Sequence, residues 1–168
     1  LWQREHAEAR QMFDLVSDAD KALAEARIAL QNLDGDVNAL IDALPASKAG
    51  DPGLQADRFE WRIRKGYGDS AKDLMLSQSI GAAALGQPAA WANRRRALAR
   101  DEMRNGDPAR AYQMASKHFL SEGSHFADLE WLSGYIALRF LKDPKLALGH
   151  FQAHDGAVES VSYTHLRA

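Results

Sequence analysis

Four aspartates, Asp36, Asp69, Asp107 and Asp143, recur at separations of 33, 38 and 36 residues, each at the head of a stretch with helical character. The copies read Gly35-Asp36-Val37-Asn38-Ala39, Gly68-Asp69-Ser70-Ala71-Lys72, Gly106-Asp107-Pro108-Ala109-Arg110 and Lys142-Asp143-Pro144-Lys145-Leu146. Aspartate starts helices because its carboxylate accepts the N–H groups that a first turn leaves without partners. Proline fits the first helical position because it has no N–H to leave unpaired. In three copies a glycine precedes the aspartate and closes the helix before it. The spacing is that of a two-helix repeat, so the signal predicts an all-α chain built as an α-solenoid, a superhelix of antiparallel helix pairs.

Apolar positions line up behind the aspartates. Ile41, Leu74, Tyr112 and Leu148 lie five residues on, and Leu44, Ala115 and Phe151 lie eight on, with Ser77 as the exception. A short helix carrying one such stripe has to bury it against its neighbours. The last repeat places Trp131, Ala147 and Phe151 at offsets found in tetratricopeptide repeats, but Tyr135 stands where that pattern has a small glycine. The expected array is tetratricopeptide-like but irregular. Hydrophobic periodicity predicts helices near residues 2–16, 18–32, 37–44, 53–65, 70–79, 88–104, 108–120, 126–141 and 144–153, with loops at 45–53 and 81–88.

With 46% hydrophobic and 26% charged residues in a chain of 168, the composition is that of a core-forming domain. A net charge of −2 gives no reason to expect nucleic acid or an anionic membrane as partner. The absence of cysteine removes disulfides and thiolate metal sites. No apolar run approaches the roughly 20 residues of a membrane-spanning helix. Residues 1–160 are expected to form one superhelical domain, truncated at both ends because Leu1-Trp2-Gln3-Arg4-Glu5-His6-Ala7 already reads as mid-helix. Residues 161–168 carry no capping signal and read as a non-native tail that packs poorly.

The run Phe126-Ala127-Asp128-Leu129-Glu130-Trp131-Leu132-Ser133-Gly134-Tyr135-Ile136-Ala137-Leu138-Arg139, followed by Asp143-Pro144, Ala147-Leu148 and His150-Phe151, resembles the superhelical region of bacterial soluble lytic murein transglycosylases. The segment Trp91-Ala92-Asn93-Arg94-Arg95-Arg96-Ala97-Leu98-Ala99-Arg100, continuing to Asn105-Gly106-Asp107-Pro108-Ala109-Arg110-Ala111-Tyr112, is similar to the repeat before it. The resemblance covers residues 54–160. It implies a periplasmic enzyme that cleaves the β-1,4 bond between N-acetylmuramic acid and N-acetylglucosamine in peptidoglycan and leaves a 1,6-anhydro end. In that family the catalytic glutamate sits in a separate lysozyme-like domain, in a Glu-Ser-x-aromatic motif. Here Glu159-Ser160 is followed by Val161-Ser162, so the motif is incomplete and Glu159 is not assigned a catalytic role.

No residue of the chain is therefore expected to be catalytic, to bind a cofactor or to ligate a metal, and glycan strands would be met through the missing catalytic domain. Arg96, Arg100 and Arg104 form a basic stripe at i, i+4 and i+8, with Arg94 and Arg95 adding charge beside it. The stripe is the candidate contact for the carboxylates of muramyl peptides. The competing reading is a solvated face paired with Asp101, Glu102 or a neighbouring repeat. Trp61, Trp91 and Trp131 suit sugar stacking, but each sits among apolar neighbours and is expected in the core. His150 and His154 are spaced to share a metal, yet no His-Glu-x-x-His pattern accompanies them, which points to a surface role for the histidines near helix ends. A free-standing repeat module that binds proteins is the alternative function.

Overall fold

A computed structural model describes the backbone of residues 1–165 and the side chains of residues 1–157. The described residues are all-helical, with no strand. The α-helices are α1 (His6–Gln11), α2 (Asp18–Asn32), α3 (Val37–Asp42), α4 (Ala46–Ala49), α5 (Pro52–Arg64), α6 (Gly68–Gln78), α7 (Ala82–Leu85), α8 (Pro88–Asn105), α9 (Pro108–Ser116), α10 (Gly123–Arg139) and α11 (Pro144–His165). The chain divides into two compact units, Leu1–Leu74 and Met75–Ala168.

Aspartate followed by proline is the working start signal. Asp107 accepts the Ala109 N–H at 2.8 Å to begin α9, and Asp143 accepts the Leu146 N–H at 2.9 Å to begin α11. Asp51, in the stretch read as a loop, does the same for α5 by accepting the Leu54 N–H at 2.8 Å ahead of Pro52. The two copies without proline behave differently. Asp36 occupies the cap position of α3 without a side-chain hydrogen bond, and Asp69 lies inside the first turn of α6, where Lys72 approaches it at 3.8 Å. The 33- to 38-residue spacing therefore mixes true caps with one residue inside a helix.

In the first unit, α2 packs on α5, α3 and α4. The core is Ala26, Ala29 and Leu30 of α2 with Val37, Leu44 and Leu54, and Trp61 leans on it from α5 while donating its indole N–H to the Asp34 carbonyl at 3.2 Å. Residues 2–16, expected as one helix, are α1 and a 3₁₀ turn, Phe13–Leu15. The reason is tertiary. The Leu1 carbonyl accepts from Gln31 Nε2 at 3.1 Å, Trp2 lies over the Arg27 guanidinium at 5.1 Å, and Arg4 turns through a φ of 60°.

In the second unit, α9 packs on α8 and on α10, and α11 packs most extensively on α10. Along α8 the buried stripe is Trp91, Arg95, Ala99 and Glu102, spaced as one helical face. Leu129, Leu132, Ser133, Gly134, Ile136 and Ala137 are buried on α10. A Cβ on Gly134 would stand 2.7 Å from the Phe151 ring, so the absent side chain is what lets α11 approach. Leu148, aligned with the core stripe in sequence, is exposed; α11 turns Ala147, His150 and Phe151 inward instead. Two further expectations change. Ala46–Ala49 and Ala82–Leu85 are single-turn helices inside the predicted loops, and the last helix runs on to His165 rather than ending near 153. How residues 161–168 pack, the expectation attached to the tail, lies outside the described side chains.

Candidate functional site

One group of ionisable side chains in the second unit joins three helices. Glu130 is on the inward face of α10, on the same stripe as Ser133, Gly134 and Ala137, and is 9% exposed. Its Oε1 accepts His118 Nε2–H at 2.8 Å and its Oε2 accepts His150 Nδ1–H at 2.7 Å. Nε2 of His150 meets the Tyr112 hydroxyl of α9 at 2.8 Å. His118, 3% exposed, lies just beyond the end of α9, and its Nδ1 accepts the Leu120 backbone N–H at 3.0 Å. Its ring packs edge-on against Phe126 with centroids 5.6 Å apart.

The charges follow from these partners. Burial pushes the Glu130 carboxyl up, but the hydrogen bonds that His118 and His150 donate outweigh it and hold the group down at about 2. A carboxylate that stays ionised at neutral pH accepts protons in hydrogen bonds and does not serve as a general acid. Tyr112 precedes His150 and Glu130 in the order of a nucleophile, base and orienting acid. Burial raises its hydroxyl, however, which disfavours the phenolate such chemistry needs. The sequence of contacts is therefore a fastening that ties the end of α9 and the start of α11 to the middle of α10. All four ring nitrogens are occupied by Glu130, Tyr112 or Leu120, and among the described residues no group of three or more histidines and acids is arranged to hold a metal.

Arg95, grouped by sequence with the surface charge of the basic stripe, is instead fully buried, at 0% exposure. Nη1 donates to the Met114 carbonyl in the last turn of α9 at 2.8 Å, and Nη2 donates to Ser79 Oγ just beyond α6 at 2.7 Å. Ser79 in turn donates to the Met75 carbonyl at 2.6 Å. A cation is stabilised at helix C-termini, where unsatisfied carbonyls concentrate negative charge. Burial alone lowers the guanidinium to about 10. The period Trp91, Arg95, Ala99 was the signal that could have placed it inside.

The stripe proper is uneven. Arg96 pairs with Asp128 of α10 and donates to Asn93 at 3.2 Å, Arg100 is half-buried and Arg104 is exposed. Trp91 is in the core and donates to the Leu85 carbonyl at 3.1 Å. Trp131 is 45% exposed, contrary to the expected core position, because it faces away from the Glu130 stripe; it stacks on Tyr135 with centroids 5.4 Å apart. His150 and His118 are inside the fastening rather than on the surface, and His154 stands 3.6 Å from Asp155. Glu159 lies beyond the residues whose side chains are described. An open cleft of about 550 Å³ runs between Gln87 and Pro88 at the start of α8 and Phe119, Leu120 and Ser121. No helix among the described residues is long and apolar enough to cross a membrane.

Compared with protein families, characterised proteins and solved structures, the chain matches none.

Proposed function

We infer that this chain is the superhelical, non-catalytic part of a lytic murein transglycosylase acting in the periplasm, a scaffold that positions a lysozyme-like domain against peptidoglycan glycan strands. The observation that carries this reading is the string at 126–139 with its continuation Asp143-Pro144, Ala147-Leu148 and His150-Phe151. These residues make up α10 and the start of α11, the best-packed helix pair of the second unit, as a repeat in a solenoid of irregular tetratricopeptide-like pairs requires. Glu130 is engaged by two histidines and stays ionised, so this carboxylate does not act as the acid of a glycosidic cleavage. Of the basic stripe, Arg100 and Arg104 are the contacts proposed for peptide carboxylates, because Arg96 is already held by Asp128.

A second reading is favoured by one observation. Trp131 and Leu138 on α10, with Phe140 just beyond its end, leave apolar side chains exposed, which suits a repeat module that binds another protein. The reading frame that encodes residues 1–168 separates the two. A lysozyme-like domain with a Glu-Ser-x-aromatic motif encoded downstream supports the scaffold; a complete frame without one supports the module.

A further inference from the structure

His118 carries two hydrogen bonds of opposite sense. Glu130 is ionised and can only accept, so Nε2 holds the ring proton; Nδ1 accepts the Leu120 N–H and so holds none. The ring is the neutral Nε2–H tautomer. Leu120 belongs to the segment 117–122 between α9 and α10. Within it Phe119 adopts a φ of 55°, a left-handed conformation that is strained for a bulky residue. Phe119, Leu120 and Ser121 are also one wall of the 550 Å³ cleft, opposite Gln87 and Pro88. A strained cleft wall is thus fastened through a nitrogen that can titrate.

We propose that His118 is a proton-operated latch on this wall of the cleft. A proton from solvent that binds Nδ1 turns the acceptor into a donor facing the Leu120 N–H. That hydrogen bond is lost, and the segment relaxes from its strained turn. Nε2–H remains on Glu130, so the imidazolium keeps its anchor while the loop is released. The ionisable groups of the network are Glu130 from α10, His150 from α11 on its other oxygen, and Tyr112 from α9 beyond His150, with the charge of Asp143 also acting on Tyr112. One carboxylate serves both imidazoles, one on each oxygen. The inference is independent of the scaffold reading.

The test follows the Leu120 amide by NMR hydrogen exchange, as a protection factor, together with the His118 ring carbon shift from about pH 8 to about pH 5. Protection falls about tenfold or more, with the midpoint of the His118 titration. In His118→Asn the amide oxygen replaces Nδ1 as a non-titrating acceptor, and Leu120 protection stays level across the range. In His150→Asn the amide N–H replaces Nδ1–H toward Glu130, and the pH dependence persists. The proposal is overturned if Leu120 protection stays level while His118 titrates, if His118 does not titrate in this range, or if folded His118→Asn keeps the full pH dependence. Should His118→Asn fail to fold by circular dichroism, the paired titrations of the unaltered protein decide.

Discussion

Glu130 Oε1 and His118 Nε2 lie 2.8 Å apart across the connection between α9 and α10, and the other carboxylate oxygen is taken by His150 from α11. One ionised side chain thus fastens segments that are 12 and 20 residues away in sequence. Burying a carboxylate is costly unless charge-assisted hydrogen bonds replace its water, and here both oxygens are so satisfied.

This arrangement sets a pH dependence with a definite sign. The carboxyl is at about 2 when folded against an ordinary 4.5, so its contribution is complete above pH 4.5 and is lost as pH falls toward 2. The loss amounts to about 3 kcal/mol. Urea unfolding at a series of pH values should show this acid limb, and Glu130→Gln should remove it. At neutral pH the same substitution should cost about 1.5 to 3 kcal/mol, because the glutamine N–H₂ faces an imidazole N–H.

Tyr112 stands at the outer end of the network and is half-buried, so it contributes less. Tyr112→Phe removes the hydroxyl that meets His150 at 2.8 Å and should cost about 0.5 to 1.5 kcal/mol. In a double-mutant cycle with Glu130→Gln the two effects should fall short of additivity, since His150 links the residues.

The caps make a contrast within one chain. Asp107→Ala should cost on the order of 1 kcal/mol, as the Ala109 N–H loses its acceptor. Asp36→Ala should change stability by less than about 0.5 kcal/mol, as no side-chain bond is lost. Denaturant midpoints of the two variants test the difference.

The all-helical class and the helix starts at Asp107 and Asp143 were legible because each depends on residues next to one another. The same reasoning passed over Asp51-Pro52, since Ser47, Gly50 and Pro52 gave the stretch a loop composition. Residues 1–5 left the helical pattern because Arg27 and Gln31, 25 and 30 residues on, capture Trp2 and the Leu1 carbonyl. The network at Glu130 was not legible because its partners come from α9, the connection after it and α11. A local trace existed all the same: Glu130 falls on the stripe of Ser133, Gly134 and Ala137, where a charged residue demands buried partners. His118 was hidden by extending α9 to residue 120, when the helix stops at Ser116 and the ring itself takes the Leu120 amide.

Gly134 tests the packing of α10 on α11 separately from its charges. Gly134→Ala gains helix propensity but drives a methyl into the Phe151 ring, and the overpacking should win, with a net loss of about 1 to 3 kcal/mol. Phe151→Leu in the same background should recover part of it, read as a rise in melting temperature over the single variant.

The scaffold reading meets its most direct test in the muropeptides released from purified peptidoglycan, measured by mass spectrometry. The protein encoded by the complete reading frame should release 1,6-anhydromuropeptides, whereas residues 1–168 alone should release none. A complete protein that yields no anhydro products, or an isolated chain that yields them, would contradict the account.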